Sequence, residues 1–165
     1  MEAEERPMDW ATREAEKEQR EAQEAEEARE KSERDKHLKD EGGIMLFGKL
    51  HAWMEGQAKS YSGKIPEQAF EVGTIKPWGG PDPYDFFEVS KTNRDRPPMK
   101  VSYHSTPGSG PHRITVDCGV LPKPEYPLSV RDDGNVFFET RKGQSRTIEE
   151  LGSELLESFK AVRRF

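Results

Sequence analysis

A chain of 165 residues has room for one domain and an extension. Hydrophobic residues make up 32%, charged residues 35%, and the net charge is −6. These totals exclude a wholly basic nucleic-acid binder, and the longest apolar run, Ile44–Phe47, is far too short to span a membrane.

The acidity is local. Residues 1–41 carry 16 acidic and 9 basic side chains, net −7, whereas residues 42–165 carry 16 and 17, net +1. The chain is therefore expected to divide into a charged arm over 1–43 and a folded domain over 44–165. The acidic start, "MEAEERPMDW", matches neither a secretory signal nor an Arg-rich transit peptide. A single cysteine, Cys118, suits a reducing compartment, so a cytoplasmic location is expected.

In the arm, Asp9 is placed to cap a helix that begins at Trp10. The interior is Glu, Ala, Lys, Gln and Arg, all good helix formers. Glu16–Arg20, Glu27–Lys31, Glu30–Arg34 and Asp35–Lys39 set a carboxylate four residues before a base; such pairs support isolated helices by roughly 0.2–0.5 kcal/mol each. Gly42–Gly43 is expected to end this helix. A coiled coil needs apolar a and d positions. Only Ala11, Ala15, Ala22, Ala25 and Ala28 are available, and they keep no steady heptad. A solvated single helix is expected, with a docking arm on a larger partner as the rival.

From Gly43 the pattern changes. Leu46, Phe47, Leu50, Trp53, Met54 and Tyr61 share one face of a second helical stretch, while Gly48, Ala52 and Gly56 line another side. A Gly- and Pro-rich passage follows, with a short strand expected at Phe70–Ile75. Alternation of period two then marks strands. It places Phe87 with Val89, Met99 with Val101 and Tyr103, and Ile114 with Val116 and Cys118. "LSVRDDGNVFFETR" reads as a hairpin. A three-residue loop, Asp132-Asp133-Gly134, pairs Val130 with Val136 and Leu128 with Phe138, uniting four apolar side chains on one face. Gly134 is then left-handed. Finally Thr147 and Glu150 form a capping box, and Ile148, Leu151, Leu155, Phe159 and Val162 make one helical stripe. The expected fold class is α+β: a long charged N-terminal helix, then a two-layer domain with an antiparallel sheet and two amphipathic helices on one face.

No nucleophile with a base, Walker loop, metalloprotease pair or dinucleotide fingerprint is recognisable, and no cofactor is expected. The loop Pro107–His112 is Gly-rich but leads into a strand, where a phosphate cradle needs a helix. His104 and His112 fall on opposite faces and lack a third zinc ligand, so no metal is expected. The exposed sheet face carries Phe86, Lys100, Arg113, Arg131, Phe137 and Arg141, with Ser102, His104 and Thr115. Aromatics among bases resemble a stacking platform for single-stranded nucleic acid. Glu88, Asp117 and Glu139 on the same face oppose that reading. The expectation is a non-enzymatic protein–protein interaction module of adaptor, chaperone-like or inhibitor type, with another protein as partner. A single-stranded nucleic-acid-binding module is the alternative; no membrane association is expected, and the oligomeric state is open.

Overall fold

The computed structural model describes residues 9–93, 96–105, 112–119 and 123–161. The chain falls into two units, Met1–His37 and Leu38–Phe165. It has the α+β architecture: a long N-terminal helix, a curled antiparallel sheet and a C-terminal helix.

Helix α1 runs from Trp10 to Lys64. It starts where Asp9 permits, with the Asp9 carboxylate accepting the Thr12 N–H at 2.8 Å. Hydrogen bonding by the Thr12 side chain, and then by its backbone N–H, holds the Asp9 carboxyl below its ordinary pKa. Between Trp10 and His37 no side chain is buried, and Arg29 bridges Glu26 and Glu33 along the helix surface. The helix does not end at Gly42–Gly43, which corrects the expected stop. Both glycines lie against the sheet. A Cβ on Gly43 would overlap the Tyr103 hydroxyl oxygen and crowd Leu128, and one on Gly42 would overlap Val136. Each glycine costs a helix about 1 kcal/mol relative to alanine. Here they allow a close approach between helix and sheet that no larger residue permits.

Among the described residues the sheet has eight strands: β1 (Phe70–Val72), β2 (Lys76–Trp78), β3 (Tyr84–Lys91), β4 (Met99–His104), β5 (Arg113–Asp117), β6 (Glu125–Val130), β7 (Val136–Glu139) and β8 (Ser145–Arg146). Their order is β1-β3-β4-β5-β6-β7-β8, with β2 also paired to β3. The strand expected at Phe70–Ile75 is thus shorter, and a second one follows it on the same side of β3. This edge is blunted. The Ser62 hydroxyl binds both the N–H and the C=O of Phe70, and Pro77 in β2 offers no N–H.

One face of the sheet is the core face. Phe87, Val89, Met99, Val101, Tyr103, Ile114, Val116, Cys118, Leu128 and Phe138 are buried there, as alternation requires. Phe47, Leu50, Met54 and Ala58 of α1 join the same cluster, with Leu46, Trp53 and Tyr61 packed against it. So do Leu151, Leu155 and Phe159 of the second helix, α2 (Ile148–Ala161). Both helices therefore serve one face. Gly152 of α2 leaves room for the Trp53 ring of α1. The capping box is formed, with Glu150 N–H to Thr147 Oγ1 at 3.1 Å and Thr147 N–H to Glu150 Oε1 at 3.4 Å. At the other end Arg96 donates to the carbonyls of Phe159 and Lys160, which satisfies acceptors that the helix itself leaves open. Val162, the last residue of the expected stripe, lies outside the described residues, as do residues 107–111 of the Gly-rich loop.

The β6–β7 hairpin has the expected register, Val130 opposite Val136 and Leu128 opposite Phe138. Gly134 is left-handed at φ 85°. The device recurs unforeseen one hairpin later, where Gly143 has φ 80° and Thr140 N–H bonds Gln144 C=O at 2.8 Å.

Candidate interaction surface

The face opposite the core is built by the same alternation. Lys76, Phe86, Ser102, Thr115 and Glu125 lie side by side across five strands. Glu88, Lys100 and Asp117 form a second row, so a base sits between two acids.

At one corner of this face the aromatics gather. Trp78 of β2 stacks on Tyr84 of β3, ring centroids 5.0 Å apart and planes 18° from parallel. Tyr84 also meets His104 at 4.9 Å and Phe86 at 6.0 Å. Lys100 Nζ donates to the Tyr84 hydroxyl at 2.6 Å and lies 4.4 Å from the Phe86 ring centre and 4.8 Å from that of Tyr84. His104 Nε2 is 2.9 Å from Thr115 Oγ1. Burial, then the neighbouring Arg113 guanidinium, lowers the His104 pKa; Glu125 opposes this and Lys100 adds to it. The imidazole is thereby held neutral among cations. Trp78 remains 40% exposed.

The six residues expected on this face do not form one platform. Phe86 and Lys100 belong to the aromatic corner, and Arg113 sits one strand beyond, opposite His104. Arg131 and Phe137 form a separate pair at the β6–β7 hairpin, with the guanidinium 4.6 Å from the ring centre. Arg141 lies elsewhere again, 3.6 Å from Glu125 and bonded to the Lys123 carbonyl. Phe86 and Phe137, expected to be exposed, are half-buried, because cations cover their rings and, for Phe86, Lys76 of β2 pairs alongside. Trp78 and Tyr84 were not among the expected residues. Stepping the alternation of β3 back from Phe86 reaches Tyr84. No sequence signal announces that the strand containing Pro77 will carry Trp78 onto it.

On the core face, a polar chain joins α1 to the sheet. Asp40 Oδ1 lies 2.9 Å from His112 Nε2, and His112 Nδ1 lies 2.9 Å from the Tyr103 hydroxyl. Burial, reinforced by the charges of Asp40 and Asp85, raises the Tyr103 pKa. The Tyr103 hydroxyl therefore stays protonated, able to donate to or accept from the imidazole. Tyr103 is buried at one end of this chain, while the Asp40 carboxylate at the other end is half exposed.

Among the described residues, no group of three His, Cys, Asp or Glu side chains is placed to hold a metal ion, and no helix is long and apolar enough to cross a membrane. Comparison with protein-family models, with curated proteins and with solved structures found no match.

Proposed function

We propose that the chain is a non-enzymatic protein-binding module that uses the aromatic corner of its outer sheet face. The observation that carries this reading is the half-open Trp78–Tyr84 stack, ordered from beneath by Lys100, Phe86 and His104. Trp and Tyr held rigidly on a strand are the residue types that dominate binding energy at protein interfaces. The matched rows of charge around them supply a polar rim. A reducing, cytoplasmic setting accords with the buried, unpaired thiol of Cys118.

The nucleic-acid reading rests on the same aromatics among bases. Against it, Lys100 already lies over the Phe86 and Tyr84 rings, and Arg141 is matched by Glu125. Bases need free ring faces to stack, and phosphates need unmatched cations.

The test compares the full-length chain with Trp78→Ala, both recovered from the native host. The expected result is one protein co-purifying in fixed stoichiometry with the parent and lost from the variant, while both melt alike. Truncation of such an anchor is expected to cost roughly 2 kcal/mol or more of binding. A nucleic acid in place of the protein, or salt-sensitive binding of single-stranded DNA or RNA in titration, would establish the alternative. A partner retained at full strength by Trp78→Ala would remove the corner from the interface.

A further inference from the structure

The β7 edge is unfinished. β8 pairs only with Phe138 and Glu139, and after Arg146 the chain turns into α2. Among the described residues, no strand lies beside Val136 and Phe137 on that side. The ladder decides which of these two residues presents its backbone there. In an antiparallel pair, hydrogen-bonded residue pairs recur at every second position. Thr140 N–H bonds Gln144 C=O, so Phe138 is the next residue of β7 to bond toward β8, and Val136 is the one after. The other side agrees. Arg131 N–H bonds Asn135 C=O, so Phe137 bonds toward β6 and Val136 does not. The N–H and C=O of Val136 thus point into the position that β8 has left.

A cavity of about 230 Å³ opens at this place. Apolar Leu46, Val136 and Ile148 line it, together with the cations Arg131 and Arg146. Arg131 is exposed and held over the Phe137 ring, and Arg146 is steadied by Glu154 at 2.6 Å. The acid among the lining residues, Glu150, is engaged with the Thr147 N–H in the capping box. The site therefore offers one backbone donor, one backbone acceptor, apolar walls and a cationic side.

We propose that this edge takes an extended peptide segment of a partner protein. The segment adds as a short strand against Val136, with an apolar side chain in the cavity and a neighbouring carboxylate toward Arg131. Strand addition gives affinity through the backbone and selectivity through alternate side chains. Nucleic acid has no amide ladder to offer at such an edge. The site is separate from the Trp78 corner and does not depend on it.

The test uses the full-length chain and a fluorescent acetyl-Val-Glu-Val-Glu-Val-amide peptide in an anisotropy titration. Two comparison peptides carry Lys in place of Glu, or an N-methyl group on the central valine. The Glu peptide is expected to bind roughly tenfold more tightly than either. Arg131→Glu, a change at an exposed position, is expected to reverse the preference between Glu and Lys peptides. Amide exchange at Val136, followed by NMR, is expected to slow when the Glu peptide is present. Equal binding of all three peptides, no binding at about millimolar peptide, or unchanged exchange at Val136 would overturn the proposal.

Discussion

Between Trp10 and His37, α1 has no buried side chain, whereas between Gly43 and Ala58 it buries Gly43, Phe47, Leu50, Met54 and Ala58. The first stretch is helical because its residues favour the helix and pair along its surface, as Arg29 does with Glu26 and Glu33. The second contains two glycines that disfavour a helix and is held by the sheet it covers. A helix can thus be fixed by what it is made of or by what it rests on. Substitutions should separate the two causes.

The largest effect is expected in the packed stretch. Leu50 is fully buried, so Leu50→Ala is expected to cost about 2–5 kcal/mol in urea unfolding. A loss below about half a kcal/mol, the level of a surface site, would show that α1 is not docked through this face.

Gly43→Ala sharpens the contrast, because propensity and packing predict opposite signs. Propensity favours alanine by about 1 kcal/mol. Overpacking against the buried Tyr103 hydroxyl costs about 1–3 kcal/mol. Tyr103 cannot swing away, so net destabilisation is expected in thermal melting. A stabilised Gly43→Ala protein would mean that α1 does not approach the sheet closely there. Gly48 supplies the control. Nothing lies within 4 Å of a Cβ placed on it, so Gly48→Ala is expected to raise stability by about 0.5–1 kcal/mol.

The smallest effect belongs to the exposed stretch. Arg29→Ala removes the bridges to Glu26 and Glu33 and is expected to lower helicity slightly by circular dichroism at low salt. The melting temperature of the second unit should stay the same. A difference that persists undiminished in high salt would show that the pairs are not electrostatic in origin.

The same distinction explains what was legible in the sequence. The stripe of α2, the core faces of β3 to β7 and the β6–β7 register are local periodicities in which burial and turn chemistry agree. Gly42–Gly43 was misread because a glycine pair in a helical run signals a stop, and only the distant Tyr103, Leu128 and Val136 explain its persistence. The strand at Lys76–Trp78 holds a proline and has no alternating buried face, so it left no pattern, and with it went the Trp78 contribution to the surface. Phe86, Lys100 and the Arg131–Phe137 pair could be placed by parity alone, but their separation into distinct clusters depends on cross-strand geometry.

The twin three-residue loops at Gly134 and Gly143 bear on the order in which the chain assembles. They join β6, β7 and β8 into a meander of near neighbours in sequence, and α2 follows at once. Closing such short loops loses little chain entropy and takes microseconds, whereas bringing Gly42 of α1 to Val136 closes a far longer one. The meander and α2 are therefore placed to form the folding nucleus, with the packed part of α1 settling afterwards. In stopped-flow chevrons, Phe138→Leu should chiefly slow folding, and Leu50→Ala should chiefly speed unfolding. The reverse assignment would make α1 the template on which the sheet condenses.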